Sequence, residues 1–373
     1  MPWTDMRMSR RAWLALAGAS LGTPSQALPA RPMAFPRDFG AHPDLRTEWW
    51  YLTGHASAGA RDFGFQVTFF RSRVDDAQSL RSQFAARQLI FAHSAVTDVQ
   101  GGKLWHDQRI AREGFGIAQA ARHDTDLRLR DWTLVRRDHA PGSRYVTRVR
   151  AQDFALDLHC DTTQAPLLQG REGLSRKGPE AAQASYYYSQ PQLHTTGRVA
   201  LRGEAFNVRG TAWLDHEASE ALLHPQAVGW DWIGMNLFDG SALTAFRLRR
   251  ADGSTLWDGG SFRSSPSSGL SLYIASRGET TFTPVRFWKS PLSQARYPVE
   301  WIVRTPADFY TVRAVLDAQE LDSRASTGAI YWEGLSNLYD SNGRHVGRGY
   351  LEMTGYAGAL RMSGLAPTLA HHG

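Results

Sequence analysis

Apolar and polar residues alternate along most of the chain, and this pattern predicts β-strands. In residues 63–71, the alternate positions Phe63, Phe65, Val67 and Phe69 are apolar and would share one face of a strand. The same period of two occurs at residues 154–160, 206–214 and 228–238, and further strands are predicted at 88–97, 145–150, 185–201, 242–250, 281–288, 297–304, 309–316, 328–338 and 346–356. The sequence therefore predicts an all-β protein.

Glycine-containing pairs separate many of these strands and favour tight turns, because glycine adopts positive φ without strain. They are Gly101-Gly102, Asp239-Gly240, Asp252-Gly253 and Asn342-Gly343. Short strands joined in this way are typical of sandwiches and barrels. Helices are predicted only at residues 79–89 and 217–223, both at the periphery.

The length of 373 residues favours two domains, since single hydrophobic cores stop growing near about 250–300 residues. Residues 170–184 lack periodicity and are predicted to form a long loop, so we place a boundary near residue 190. We expect a leader at 1–30, domains at 31–190 and 191–365, and a tail at 366–373.

A weak internal repeat agrees with two related domains. Residues 49–50 lead to a strand at 68–71, and residues 230–232 lead to one at 244–247, and both strands end in arginine, the first in Arg71. Chance resemblance between two β-hairpins is the alternative explanation.

The N-terminus has the pattern of a twin-arginine export signal. Residues 9–14 read Ser-Arg-Arg-Ala-Trp-Leu, residues 12–21 are mostly apolar, and Ala27 or Ala30 offers a small residue for cleavage. A basic helix retained in the fold is the alternative. No later segment approaches the roughly 18 apolar residues of a membrane-spanning helix. We expect a mature protein that lies in the periplasm or is secreted and does not span the membrane.

Composition excludes several classes of function. The net charge is +6, but no run of five like charges occurs, which argues against nucleic-acid binding. Cys160 is the only cysteine, so neither an intramolecular disulfide nor a thiolate zinc site can form. The chain also lacks a His-Glu-x-x-His motif and a phosphate-binding glycine loop, and its Gly-x-Ser-x-Gly string at residues 18–22 lies in the predicted leader. We therefore predict no metal and no cofactor.

Five short segments set a carboxylic acid beside aromatic side chains, at residues 48–51, 213–217, 230–232, 331–334 and 349–352. A carboxyl group against indole rings is poorly solvated and can keep its proton near neutral pH, so it can act as a general acid. The alternative is ordinary strand packing, with aromatic residues inside and acids outside. The candidate catalytic residues are Asp215, His216, Glu217, Asp231 and Glu333. The candidate ligand-binding residues are Glu48, Trp49, Trp50, Tyr51, Arg71, Trp213, Trp230, Trp232, Tyr331 and Trp332.

Taken in order, these five motifs resemble the carotenoid 1,2-hydratase and AttH-like family of secreted lipocalin-like proteins, over roughly residues 34–358. The resemblance implies two consecutive lipocalin-like antiparallel β-barrels packed together, with function near the barrel mouths and their interface. In the hydratase members, it implies that an acid protonates a terminal double bond of an acyclic carotenoid and that water captures the cation, without a metal. The family's Asp-His-Glu motif falls on residues 215–217, but Ala218 replaces the usual tryptophan, which weakens the expectation of a carotenoid.

Two functions therefore stay open. The chain is expected to bind an apolar or amphiphilic small molecule such as a lipid, isoprenoid or polyene, with an exporter or membrane partner as AttH-like members imply, and whether it also acts as a hydro-lyase is left open. The alternative is a carbohydrate-binding protein or glycoside-type hydrolase, because tryptophan faces and carboxylates also suit sugar rings.

Overall fold

The computed structural model describes residues 27–269 and 271–360, and the regular secondary structure of these residues is almost entirely antiparallel β-strand. The all-β prediction is confirmed. The helices among these residues are single 3₁₀ turns at Arg37–Phe39, Asp75–Ala77 and Pro266–Ser268. None of the helices in this part of the chain could cross a membrane. The predicted twin-arginine motif and C-terminal tail lie outside the described residues.

The two helices predicted from the sequence are wrong. Leu80 and Phe84 are exposed, so a helix at 79–89 would have no core to pack against. The first part of 217–223 instead continues a strand, in which Glu217 pairs with Trp49 and Tyr187.

The first sheet contains thirteen strands. They are β1 (Thr47–Ala58), β2 (Arg61–Arg73), β3 (Gln88–Asp98), β4 (Lys103–Arg112), β5 (Ala118–Ala120), β6 (Asp126–Leu129), β7 (Trp132–His139), β8 (Gly142–Arg150), β9 (Phe154–Asp161), β10 (Leu167–Leu168), β11 (Leu174–Arg176), β12 (Ala184–Leu201) and β13 (Glu204–Ser219). Their order is β4-β3-β2-β1-β13-β12-β9-β8-β7-β6-β5, and β10 and β11 pair with β12.

The second sheet contains ten strands. They are β14 (Gly229–Leu237), β15 (Ala242–Arg249), β16 (Thr255–Arg263), β17 (Leu272–Ala275), β18 (Thr281–Lys289), β19 (Arg296–Arg304), β20 (Phe309–Ala314), β21 (Glu320–Ser323), β22 (Ala329–Tyr339) and β23 (His345–Met353). Their order is β17-β16-β15-β14-β23-β22-β20-β19-β18, and β21 pairs with β22.

The first sheet curls into a nearly closed barrel. Arg109 in β4 contacts Asp131 in the turn after β6 and donates to the carbonyl of Arg150 at 2.8 Å, which joins the two ends of the sheet. Large side chains such as Trp50, Trp132 and Tyr145 fill its interior, and Cys160 is buried among them. This interior is a packed core of large side chains.

The strands at the centre of each sheet are buried on both faces. In β1, Trp50 and Leu52 belong to the core of the first barrel, whereas Tyr51 packs against the second sheet. In β14, Ile233 lies in the core of the second sheet, whereas Trp232 faces the first. Because successive side chains of a strand point to opposite faces, each central strand serves a core and the interface between sheets.

The change from one sheet to the other falls between Ser219 and Gly229, because β12 and β13 complete the first sheet. The ends of a sheet do not by themselves define a domain boundary, so the boundary predicted near residue 190 stays a prediction.

The internal repeat of the sequence has a structural counterpart in two buried ion pairs. Glu48 lies opposite Arg71 across β1 and β2, and Asp231 lies opposite Arg247 across β14 and β15. The Nε atom of Arg71 lies 2.8 Å from Glu48, and that of Arg247 lies 2.7 Å from Asp231. The two hairpins therefore share register as well as sequence pattern.

The pair of Glu48 and Arg71 is part of a larger buried network. Glu48 also contacts Nδ1 of His42 at 2.7 Å and Nε2 of His216 at 2.9 Å. Burial alone would raise the pKa of Glu48, but the hydrogen bonds from His216 and His42 hold it well below its usual range. Glu48 is therefore a permanent anion that needs its partners.

Replacing Arg71 with methionine should leave Glu48 as a buried charge without its arginine, and we expect a loss of about 3–5 kcal/mol in the free energy of unfolding. Urea denaturation at pH 7 measures the change. The control is Arg313→Met, because Arg313 is about half exposed and its pair with Glu300 is worth less than about 1 kcal/mol. Equal losses in the two variants would contradict this account of the network.

Candidate functional site

A cavity of about 90 Å³ lies between the two sheets, on the faces directed away from both cores. We call it the inter-sheet cavity. Its aromatic lining consists of Trp49, Tyr51, Phe70, Tyr187, Trp230, Trp232, Phe246 and Tyr331, and its ionisable lining consists of Lys177, Asp215, Glu217, Glu333 and Glu352. Thr68, Leu222, Leu223 and Leu248 complete the wall. The site thus combines an apolar surface with four carboxyl groups.

Strand register brings these side chains together as two matching rows. In the first sheet, Phe70, Trp49, Glu217 and Tyr187 are successive neighbours across β2, β1, β13 and β12. In the second sheet, Phe246, Trp232, Glu352 and Glu333 are successive neighbours across β15, β14, β23 and β22. The rows have the same order of phenylalanine, tryptophan and glutamate, and they differ in the last member, where Tyr187 corresponds to Glu333.

Glu333 and Glu352 form a pair of carboxyl groups directly opposite each other on neighbouring strands. Glu333 is only 2% exposed. Burial, and after it the negative charge of Glu352, raises the pKa of Glu333 well above its usual value. Burial also raises the pKa of Glu352, to about 7. Because two buried carboxyl groups on directly paired positions cannot both ionise cheaply, the pair holds a proton at neutral pH.

Two polar atoms of the cavity wall have no hydrogen-bond partner among the described residues. They are Oε1 of Glu333 and the hydroxyl of Tyr51, and both side chains are buried. Unsatisfied buried groups are rare in folded proteins, since each costs about 1–3 kcal/mol. The two side chains lie near enough to each other for the Tyr51 hydroxyl to oppose the rise in the pKa of Glu333, but neither atom makes a hydrogen bond of normal length, so the wall has room for a further polar contact.

Asp215 is the second proton-holding group of the cavity. It accepts hydrogen bonds from Ser189 Oγ at 2.5 Å, Trp213 Nε1 at 2.7 Å and the Tyr187 hydroxyl at 2.8 Å. These bonds favour the ionised form, but burial outweighs them and the charge of Glu217 adds to it, so the pKa rises to about 7. Asp215 can therefore give or take a proton near neutral pH.

Lys177 supplies the cavity's positive charge from the segment between β11 and β12. Its Nζ atom lies 2.9 Å from Oε1 of Glu217 and 3.0 Å from Oε2. The same atom lies 4.8 Å from the ring centre of Tyr187 and 4.7 Å from that of Phe246. The ammonium group is thus held by one carboxylate and two aromatic faces.

The residues predicted from the sequence divide into three groups. Those that line the cavity are Asp215, Glu217, Glu333, Trp49, Tyr51, Trp230, Trp232 and Tyr331. Trp213 lies behind the wall, where it packs against Trp232 and donates to Asp215. The rest point to the other side of their strands, with Glu48, Trp50, Arg71 and His216 in the first sheet and Asp231 and Trp332 in the second.

His216 in particular does not face the cavity with its sequence neighbours. It stacks on Trp50 at a ring-centre distance of 4.4 Å and contacts Glu48, inside the first barrel. His42, Glu48 and His216 bring three ligand-type atoms close together. However, Arg71 lies 2.8 Å from Glu48, and a metal ion would have to displace its charge. The contacts of this cluster are therefore those of a network of ion pairs and not those of a metal site.

Sequence reasoning missed Glu352, Tyr187, Lys177, Phe70 and Phe246. Glu352 belongs to one of the five acid–aromatic motifs, and its aromatic neighbours in that motif are a sufficient signal to include it. Tyr187 and the two phenylalanines lie in predicted strands but carry no chemistry that marks them. No pattern in the 170–184 loop indicates Lys177.

Comparison with known proteins gives the following similarities. The family model described as AttH-like matches residues 26–356. The structure is similar to that of an AttH candidate from Nitrosomonas europaea, with 45% sequence identity, a TM-score of 0.81 and coverage of 88% of this chain and 99% of that one. It is also similar to kievitone hydratase from Nectria haematococca, with 12% identity, a TM-score of 0.66 and coverage of 90% and 98%. CghA gives 12% identity, a TM-score of 0.51 and coverage of 89% and 95%. At 12% identity the last two show a common fold. No curated protein sequence matches the chain.

Replacing Glu333 with glutamine should stabilise the protein at pH 8 and change little at pH 5. A carboxyl group whose pKa is raised by folding binds more protons in the native state than in the unfolded state, so wild-type stability falls as pH rises above the unfolded value near 4.5. Glutamine imitates the neutral acid and escapes this loss, which is about 1.4 kcal/mol for each unit by which folding raises the pKa. Urea denaturation at the two pH values measures it.

The control is Glu300→Gln. Arg313 lowers the pKa of Glu300, so that variant should lose stability or stay unchanged at pH 8. A Glu333→Gln protein that is less stable than wild type at pH 8 would contradict the raised pKa.

Proposed function

The chain belongs to the AttH-like family, and from that premise we propose that it binds a small apolar or amphiphilic molecule in the inter-sheet cavity and adds water across a carbon–carbon double bond of that molecule. The observation that carries the proposal is the Glu333–Glu352 pair, which keeps a proton among aromatic rings. The shared fold with a protein named as a hydratase agrees with this class of reaction.

The size of the cavity limits the substrate. About 90 Å³ is well below the roughly 300–1,000 Å³ of sites that enclose whole drug-sized ligands. The cavity can therefore take the branched end of an isoprenoid-type alkene, with the rest of the molecule outside. A long polyene would fit only with its terminal unit inside.

The reaction begins with proton transfer. The protonated carboxyl of Glu333 gives its proton to the less substituted carbon of the double bond, and the π electrons form the new C–H bond. The more substituted carbon becomes a cation, which the faces of neighbouring rings such as Trp232 and Phe246 stabilise through their quadrupoles.

Water then completes the addition. A lone pair of water forms the C–O bond to the cation, and the proton released from water passes to Asp215, whose pKa of about 7 suits a base at neutral pH. The charge of Asp215 contributes to the raised pKa of Glu352, so the two groups interact across the cavity. Return of the proton to the Glu333–Glu352 pair restores the starting state, and the product is a tertiary alcohol.

The assay for this function is incubation with short isoprenoid alkenes in ¹⁸O-labelled water, followed by mass spectrometry. We expect a product heavier by one labelled water, and a rate that falls as pH rises above about 7, because the acid form of the pair is consumed. Glu333→Gln should lower the rate by about 10²–10⁴-fold. Glu300→Gln, far from the cavity wall, should leave it unchanged. Full turnover by Glu333→Gln would remove Glu333 from the mechanism.

We also propose that the chain is exported through the twin-arginine motif at residues 9–14. Replacing both Arg10 and Arg11 with lysine should retain the protein in the cytoplasm, because the export machinery reads the arginine pair. Cell fractionation with an antibody measures the distribution. Periplasmic recovery of the double variant at the wild-type level would refute this route.

A further inference from the structure

The inter-sheet cavity has an excess of acidic groups. Of the described residues that line it, Asp215, Glu217, Glu333 and Glu352 carry carboxyl groups, and Lys177 alone carries a positive charge. Because Lys177 is already paired with Glu217, the other three carboxyl groups have no cationic partner on the cavity wall. A ligand that brought positive charge would compensate them.

The aromatic lining of the cavity already holds one cation. The Lys177 ammonium lies within 5 Å of the ring centres of Tyr187 and Phe246, which is the separation of favourable cation–π contacts. The matching rows of the two sheets contribute three more aromatic rings, those of Phe70, Trp49 and Trp232. The surface is therefore suited to a second positive charge.

The unpartnered atoms point to a ligand at this position. Oε1 of Glu333 and the Tyr51 hydroxyl are buried on the wall and unsatisfied within the described part of the chain. A compact metal ion would need several oxygen atoms converging on one point. Among residues 27–269 and 271–360, the group of ligand atoms that converges in this way is His42, Glu48 and His216, and it lies on the other side of the first sheet. An organic cation, which is larger and needs no such convergence, fits better.

We propose that the inter-sheet cavity binds small organic cations of the quaternary ammonium class, with their alkyl groups on the aromatic faces and their charge near Glu333, Glu352 and Asp215. This proposal rests on the proposed function, because it uses the same cavity. A quaternary ammonium imitates the charge and shape of the tertiary carbocation that forms in the hydration step. A trimethylammonium head group also matches the small volume of the cavity.

The experiment compares choline with 3,3-dimethylbutan-1-ol, its neutral isostere, by isothermal titration calorimetry at pH 8 and constant ionic strength. We expect choline to bind at least about ten-fold more tightly, which corresponds to about 1.4 kcal/mol for the charge. Equal affinities, or no binding of choline, would overturn the proposal.

The pH dependence of choline affinity is a second readout. Asp215 and Glu352 have pKa values of about 7, and the pKa of Glu333 is raised well above its usual value, whereas Glu217 is paired with Lys177. A cation favours their ionised forms, so its affinity should rise from pH 6 to pH 8 and its binding should release protons. The released protons appear as a dependence of the binding enthalpy on the buffer. An affinity that is flat across this range would count against the proposal.

Substitutions locate the site. Glu352→Gln should weaken choline binding by about ten-fold at pH 8 and leave binding of the neutral isostere unchanged. Glu300→Gln is the matched control, since it removes a carboxyl group on β19 outside the cavity, and it should bind choline as wild type does. Loss of choline binding in both variants, or in neither, would overturn the assignment.

The outcome is separable from that of the proposed function. Choline binding without alkene hydration would support the cation site and refute the hydration reaction. Hydration without choline binding would support the reaction and refute the cation site.

Discussion

Carboxyl groups that lie between two facing β-sheets are expensive to ionise, and the rest of the site depends on this constraint. Asp215, Glu333 and Glu352 all lie in the layer where β12, β13 and β1 face β14, β22 and β23. Removal of water raises the pKa of each, and the negative charges of neighbouring carboxyl groups, including that of Glu217, add to the effect. The protein thus keeps protons in an aromatic environment at neutral pH.

The two sheets reach this arrangement by the same local plan. Each has a central hairpin with a buried acid–arginine pair, Glu48 with Arg71 and Asp231 with Arg247, and each pair occupies directly opposed positions in the register of its strands. A slip of one residue would turn each aromatic side chain to the wrong face. The difference between the rows, Tyr187 against Glu333, gives the second sheet its paired acids. The asymmetry of the site therefore follows from one position in an otherwise matching framework.

Much of the fold could be predicted from the sequence, because period-two alternation is a direct consequence of strand geometry. It placed strands where the structure has them, including β3, β12 and β15, and it failed at residues 79–89, where apolar side chains stay exposed without forming a helix. The point at which the chain passes from one sheet to the other could not be predicted from the sequence, since only strand pairing shows that β12 and β13 belong with β1.

The site was predicted less completely, for a geometric reason. Proximity in sequence grouped Asp215, His216 and Glu217, but in a strand the middle residue faces the opposite side, and His216 lies inside the barrel with Glu48. The period of two is by itself enough to assign these residues to opposite faces. Lys177 could not have been found, because a loop without periodicity gives no information on what its side chains contact.

The central claim is that Glu333 and Glu352 share a proton at neutral pH, and NMR titration of ¹³C-labelled glutamate carboxyl carbons tests it most directly. The account predicts two glutamate signals that titrate above pH 6, and a Glu352→Gln variant in which the remaining signal, from Glu333, moves to lower pKa because the neighbouring charge is gone. If all glutamate signals titrated below pH 5, the pair would be ionised at pH 7 and the account would be wrong.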